Sequence, residues 1–408
     1  YPYPVAISVH TKWIGMEYPM ICFNGGRPEA DGTYTERTKI GMISVIIHEV
    51  GHNFFPMIIN SDERQWTWMD EGLNTFVQYL TEKEFDRNYP TRRGSARDIR
   101  SYMGGDKSRI SPIMTNSESI YQFGNNAYGK PATALNILRE TVMGRELFDY
   151  AFKEYSRRWA FRHPSPADFF RTMEDASSVD LDWFWRGWFY TTDHVDMALD
   201  QVRWLQIDTQ DPDVESAFDR AASENEPADV SLIRDASYIT ETYLEADPSL
   251  HDFYTTTDPF MVLELDKVES QERLGKMNAE EIALLQSGKN YYEITFRNKG
   301  GLVMPLIVEF ELDNGEKLLH RIPAEIWKMS EPTVTKVFVT PTPAVRIALD
   351  PMLETADVDM SDNYWPARPE PSRFEIFKSE SELRWGATRD ENPMQRSQRS
   401  SELENVED

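Results

Sequence analysis

The chain has 408 residues, enough to bury a sizeable core and to form two or three domains. Forty-three Lys and Arg stand against sixty-nine Asp and Glu, a formal charge of −26. Such a surface repels nucleic acid and anionic membrane, which need basic patches, and no apolar run reaches the roughly eighteen residues of a membrane-spanning helix. The single cysteine, Cys22, excludes an intramolecular disulfide and reads as a buried, inert thiol in a strand. Eleven Trp argue for packed structure over disorder. The chain opens Tyr1-Pro2-Tyr3-Pro4, with neither a Met nor a charged and then apolar leader. The expectation is a removed signal or a piece of a longer protein: soluble, and exported or periplasmic if a leader and a preceding domain have been lost.

Two extended pieces come first, residues 4–9 and 14–23, closed by the turn signal Asn24-Gly25-Gly26. Glu17 is a lone acid in the second of them, and a strand-borne Glu usually faces solvent. Residues 27–38 read as a polar loop. The apolar run Ile40–Ile47 then leads into His48-Glu49-Val50-Gly51-His52, and such a run is apolar enough to bury its helix in a core. On a helix, positions i and i+4 share a face, so both imidazoles reach one ion while Glu49 sits beside it. Eighteen residues separate His52 from Glu71, which is carried by a second helical pattern from Trp68 to about Glu84. Two neutral imidazoles and a carboxylate (His48, His52 and Glu71) leave the fourth position of one Zn²⁺ for water, the catalytic rather than the structural arrangement. This composition would produce H-E-x-x-H by accident in roughly one chain in a hundred.

H-E-x-x-H, eighteen residues, then Glu71-Gly72 resembles the gluzincin metallopeptidases of the aminopeptidase N and leukotriene hydrolase family. The resemblance covers residues 1–205 well and 285–357 loosely. It implies a thermolysin-like catalytic domain, α+β in class, with a small sheet and mostly helices, followed by a small β-sandwich domain. It also implies a zinc aminopeptidase in which Glu49 takes the proton of the attacking water. Gly15-Met16-Glu17 is similar to the family's G-x-M-E-N segment, which makes Glu17 the residue that binds the substrate's free α-amino group, with Gly15 and Met16 beside it. Ile14 and Tyr18 depart from that pattern and leave the shape of the adjoining pocket wall open. In the family a large amino-terminal β-domain precedes the catalytic domain, and this sequence starts at about the catalytic domain's first strand, so the expectation is a fragment of a longer protein or a site closed in another way.

Arg87–Met103 is mixed in charge and predicted helical, and its Arg92-Arg93 pair reads as a solvated face. After a Ser- and Asn-rich loop, Ala127-Tyr128-Gly129-Lys130-Pro131-Ala132 resembles the family's Tyr-x-Lys-Gly/Pro-Ala segment, where the phenol donates to the developing oxyanion. A tyrosine at a helix start is common without such a role, and Tyr121 is the alternative. Helical periodicity continues to residue 190, with Ser165-Pro166-Ala167-Asp168 as a helix start. The aromatic run Leu181–Phe189 is similar to a helix late in the family's catalytic domain and reads as core. His10, His163, His194, His251 and His320 have no metal-ligand spacing.

Residues 207–250 are acid-rich, and a short helix is predicted over 277–286. The period then changes to two: strands at 292–296 and 306–312, the turn Asp313-Asn314-Gly315, and strands at 317–322, 335–339 and 345–349. The expected organisation is a catalytic domain over 1–206, an acidic linker or insertion over 207–288, the β-sandwich over 289–357, and a polar tail over 358–408 whose last thirty or so residues are disordered. Peptides with a free amino terminus are the expected substrates. A zinc endopeptidase, an epoxide-hydrolysing relative and an inactive binding module on a peptidase scaffold are the alternatives.

Overall fold

The computed structural model describes residues 1–12, 15–367 and 392–404. Three short strands open the chain: β1 (Ile7–His10), β2 (Met16–Tyr18) and β3 (Ile21–Asn24). They form one sheet in the order β1-β3-β2, with β1 parallel and β2 antiparallel to the central β3. Cys22 is buried in β3, opposite Glu17.

Helix α1 (Glu36–Gly51) starts at Thr35, whose hydroxyl accepts the backbone N–H of Thr38 at 3.0 Å and satisfies one of the free donors of the first turn. It packs on β3 and on α2 (Leu73–Phe85), which is entered through a π-helical turn, Trp68–Gly72. The expectation that Ile40–Ile47 buries α1 in a core does not hold, because the run is half-buried throughout and only Glu49 in this helix is fully buried. The helix lies across one side of the core, so its apolar stripe meets α2 and the sheet while its flanks stay partly exposed.

Between α2 and α3 (Ala96–Met103), residues 86–95 are not the predicted helix. Pro90 removes a donor, and Gly94 adopts φ +111 with the Tyr79 ring against its α-carbon, a place where a β-carbon would approach ring atoms to 2.5 Å. A second π-helical turn, Gly124–Gly129, leads into α4 (Lys130–Ile137), followed by α5 (Arg145–Trp159), α6 (Pro166–Ser177) and α7 (Asp182–Tyr190). Helix α6 begins as its sequence predicts: the Ser165 backbone N–H donates to the Asp168 carboxylate at 2.9 Å. The aromatic run of α7 is core, with Phe184, Trp185, Trp188 and Phe189 all buried. It joins Trp68, Phe169 and Phe170 in one cluster, in which the Trp68 and Phe170 rings stack at 5.8 Å and Trp68 meets Phe189 edge-on at 4.8 Å.

Lys130 is fully buried at the head of α4, where its ammonium donates to the Thr191 carbonyl at 3.3 Å. Burial, and then the nearby charge of Lys107, lower its pKa from 10.5 to about 7. The folded protein therefore binds fewer protons than the unfolded chain between those two values. Stability present at pH 10.5 is lost progressively as the pH falls to about 7. Lys130→Met is expected to raise the urea midpoint over the parent protein most at pH 7 and least at pH 10. A gain independent of pH would assign the effect to packing instead.

Strand β4 (Met197–Gln206) precedes a run of helices: α8 (Pro212–Asn225), α9 (Val230–Tyr238), α10 (Tyr243–Ala246), α11 (Phe253–Thr256), α12 (Glu264–Leu274) and α13 (Ala279–Leu285). Among the described residues none of these helices buries an apolar side chain. Alternating strands follow: β5 (Asn290–Asn298), β6 (Leu306–Leu312), β7 (Lys317–Ile322), β8 (Thr333–Thr340), β9 (Ala344–Leu349) and β10 (Tyr364–Trp365). They build a sheet β10-β9-β6-β7 and, with β4, a sheet β4-β5-β8. The β6–β7 hairpin turns at Gly315, whose φ of +83 is the conformation that Asn-Gly turns supply. The class is α+β: a small sheet with helices, then antiparallel sheets. Helix α14 (Pro393–Glu404) ends the description, with Asn392 donating to the Thr33 hydroxyl at 3.0 Å. Of the polar tail, residues 368–391 and 405–408 lie outside the described residues, while α14 occupies part of the last thirty residues expected to be disordered.

By compactness the chain divides into two units: residues 1–201, 295–335 and 345–408 in one, and 202–294 and 336–344 in the other. No helix among the described residues is long and apolar enough to cross a membrane.

Candidate active site

Helix α1 presents His48 and His52 one turn apart, and the π-helical turn returns Glu71 to them. His48 Nε2 lies 3.0 Å from His52 Nε2 and 3.0 Å from Glu71 Oε2, and His52 Nε2 lies 3.4 Å from the same oxygen. Two ligand atoms on a tetrahedral zinc with bonds of about 2.0–2.1 Å stand about 3.3 Å apart. The three atoms therefore have the mutual spacing of a metal triad.

The far side of each ring fixes its tautomer. His48 Nδ1 is 2.9 Å from Gln78 Oε1, and Gln78 is oriented by its own amide, which donates to Glu82 at 2.7 Å. His52 Nδ1 is 2.9 Å from the Phe55 carbonyl and 2.9 Å from Asp70 Oδ1. Acceptors at both Nδ1 atoms keep the protons there and leave both Nε2 lone pairs turned inward. Two bare nitrogens and an anionic oxygen converging on one point call for a cation, and the residues present fit zinc.

The electrostatics agree. Burial raises the pKa of Glu71, but hydrogen bonds to His48 and His52 outweigh it and hold the carboxyl at about 2. Burial lowers His52, but Asp70 and Glu71 outweigh that and lift it to about 11, so in the metal-free site a proton takes the place of the ion. Glu49 is 5% exposed. Burial first, then the neighbouring Glu17 and Glu71 carboxylates, raise it from 4.5 to about 8 against the opposing pull of His52.

Backbone packing sets this geometry. Asn74 of α2 donates to the His48 carbonyl at 2.8 Å, and a β-carbon at Gly51 would stand 2.2 Å from its Oδ1. The glycine inside H-E-x-x-H is thus where the two ligand-bearing segments cross. A β-carbon at Gly15 would stand 2.5 Å from Glu49 Oε1. Gly15 therefore lets the strand approach the carboxylate, and Met16 next to it is exposed.

Glu17 is half-buried on β2, and its carboxylate, that of Glu49 and a His52 nitrogen lie within 4.8 Å of one another. The Tyr128 hydroxyl donates to Glu71 Oε1 at 2.6 Å, with its ring 5.7 Å from that of His48. Burial and the charge of Glu71 raise its pKa, so the phenol keeps its proton. Tyr121 is exposed, does not line the cavity at the triad, and has its backbone N–H on the Ser111 hydroxyl.

Arg92 and Arg93, read as a solvated face, are both exposed. Both line the cavity that also contains His48, Glu49 and Tyr128, and the Arg93 guanidinium carbon lies 4.5 Å from the Tyr128 ring centre. Asp70, Asn74 and Gln78 were missed as well. Gln78 is two helical turns past Glu71, on the same face, which is a signal the sequence does carry.

A helix-borne histidine pair, with a carboxylate returned by the next helical segment and a buried Glu beside it, is a group that could hold a metal ion. Residues 14–188 match the Peptidase family M1 domain. Over 187 residues the chain is 24% identical to "Probable aminopeptidase 1" of Sulfurisphaera tokodaii, covering 43% of this chain and 24% of that one. Over 149 residues it is 27% identical to the glutamyl aminopeptidase of Bos taurus, covering 35% and 16%. The chain thus spans a quarter or less of the length of these relatives. Among solved structures, Legionella pneumophila aminopeptidase A in complex with aspartic acid is similar at a TM-score of 0.48 and 13% identity, over 86% of this chain and 31% of that one. The M1 zinc metallopeptidase from Deinococcus radiodurans gives a TM-score of 0.36 at 18% identity, over 47% and 40%.

Proposed function

We propose that this chain is a zinc-dependent aminopeptidase that hydrolyses the first peptide bond of peptides with a free amino terminus. The observation that carries the reading is Glu17. It is a carboxylate outside the metal triad, set beside Glu49 and His52, and it is suited to pair with an ammonium one residue from the scissile carbonyl. The aminopeptidase names of the curated relatives support the same reading.

His48, His52 and Glu71 would hold the zinc, which when bound supplies the Lewis acidity that polarises the carbonyl and makes water a nucleophile near neutral pH. Glu49 accepts the proton of the attacking water at its carboxylate and passes it to the leaving amine. Tyr128 exchanges its hydrogen bond to Glu71 for one to the substrate oxygen as charge builds there, an interaction whose removal costs about a hundredfold or more in rate.

The test is mass spectrometry of a defined peptide mixture, half of it N-acetylated, after incubation with the zinc-loaded protein. Stepwise loss of residues from free amino termini alone is expected. Internal cuts in both halves would make the protein an endopeptidase. Glu17→Gln is expected to raise KM for free-amine peptides about tenfold or more, the worth of a charge-assisted hydrogen bond. An unchanged KM would remove Glu17 from amine recognition.

A further inference from the structure

The cavity beside the triad holds two cations that neither the metal chemistry nor amine recognition uses. It measures about 410 Å³, near the low end of the roughly 300–1,000 Å³ of small-ligand sites, and Arg92 and Arg93 line it together with His48, Glu49 and Tyr128. Some arginines elsewhere are committed to carboxylates, as Arg139 is to Asp149, Arg158 to Glu154, Arg297 to Asp200 and Arg346 to Glu311. Among the described residues neither Arg92 nor Arg93 forms such an ion pair, and both side chains are exposed to the cavity and solvent. The one lining carboxylate outside the catalytic group, Glu82, is buried and already accepts from the Ser44 hydroxyl and the Gln78 amide, each at 2.7 Å. Glu71 and Glu82 act on Arg93 through their charge without closing an ion pair with it, so both guanidinium groups keep donors for an anion at the cavity.

Their place relative to the other groups gives those donors a use. The Arg93 guanidinium lies over the ring of Tyr128, which is itself stacked on His48, so the cation stands one ring away from the triad. Glu17 does not line this cavity and clusters instead with Glu49 and His52. A substrate with its ammonium at Glu17 and its first carbonyl at the triad has its leaving portion free to enter the cavity.

We propose that Arg92 and Arg93 receive a carboxylate carried by the residue that leaves. That makes the preferred substrates dipeptides, through their free α-carboxylate, or peptides with an acidic second residue. This rests on the aminopeptidase reading for the direction of the substrate. The chemistry is the same for both sources, since a guanidinium presents paired N–H donors that match a carboxylate's two oxygens. The site is then complementary to a zwitterion, with an anion for the ammonium end and cations for the carboxylate end.

Calorimetric titration of the zinc-loaded Glu49→Gln protein with Ala-Ala, Ala-Ala-NH2 and Ala-Asp-NH2 tests this without turnover. At least one of the two carboxylate-bearing peptides is expected to bind about tenfold or more tighter than Ala-Ala-NH2. Ala-Ala reports the α-carboxylate and Ala-Asp-NH2 the side chain, so the tighter one names the source. Adding Arg92→Gln and Arg93→Gln is expected to bring all three within about twofold, whereas the Arg92→Lys and Arg93→Lys pair keeps part of the preference through its charge. Equal binding of the three peptides, no binding of any, or a preference that survives both Gln substitutions overturns the proposal. Cleavage by the parent protein decides the other reading separately. A protein that prefers carboxylates but cuts nothing keeps the arginine site and loses the enzyme, and one that cuts Ala-Ala and both amides equally well does the reverse.

Discussion

Glu49→Gln is expected to bind zinc one to one and to turn peptides over about 10²–10⁴-fold more slowly than the parent protein. The amide keeps the shape of the carboxylate and leaves His48, His52 and Glu71 untouched, so the metal stays while the proton acceptor goes. The same substitution is expected to stabilise the metal-free fold at alkaline pH. The folded pKa of Glu49 is raised to about 8, so its contribution to stability is full below the ordinary value of 4.5 and is lost as the pH rises through 8. A neutral amide suffers no such loss. Metal-free Glu49→Gln should therefore gain on the parent protein steadily from pH 5 to pH 9, by about 1–3 kcal/mol once burial is only partly relaxed. Zinc content by elemental analysis, steady-state rates and urea midpoints check the three parts. Full activity in the variant would falsify the assignment of Glu49.

The second large effect is expected at Trp68. It is 1% exposed and packs its ring against Phe169, Phe170 and Phe189, three residues before Glu71 in the same π-helical turn. Trp68→Ala leaves a cavity the size of an indole in an aromatic cluster whose members sit on α6 and α7, a change that costs about 3–5 kcal/mol. Because the cluster anchors the turn, zinc affinity should fall as well, by more than the loss of folded protein explains. Trp68→Phe, which keeps a ring, should recover most of both. Denaturation midpoints and chelator competition measure the two quantities. If the affinity of the folded fraction is unchanged, the turn is held by its neighbours and Trp68 is only core.

The parts of the site legible in the sequence are those written in local periodicity. His48 and His52 are one helical turn apart, and that alone puts them on one face. Glu71 could be placed because a Trp-led helical pattern begins at a workable distance. The Asn314-Gly315 turn and the Ser165–Asp168 start are likewise local chemistry, and both appear where the residues predict them. The place of Arg92 and Arg93 beside the cavity was out of reach for the opposite reason. They stand in a segment broken by Pro90 and Gly94, and the side of the molecule a loop faces depends on contacts with Tyr79 and Tyr128, distant in sequence. The half-burial of Ile40–Ile47 was also out of reach, since a run of apolar residues says what could be covered and not what covers it. Asp70 shows a third limit: adjacent to a candidate ligand, it reads as helix-start charge until His52 is seen to turn its Nδ1 toward it.

The sheet order β1-β3-β2 separates the site into parts with different exchange behaviour. Glu17 rides on an edge strand of three paired residues, between exposed Met16 and Tyr18, where few amides are protected by a neighbour. The ligand-bearing segments are cross-linked where Asn74 meets the His48 carbonyl over Gly51, deep enough for their amides to exchange only with larger openings. Deuterium should therefore enter β2 well before the Glu49–His52 turn. On the proposed reading, the arm that takes hold of a peptide frays and re-forms many times while the ion stays in place, so the lifetimes of bound substrate and bound metal are set by different parts of the chain.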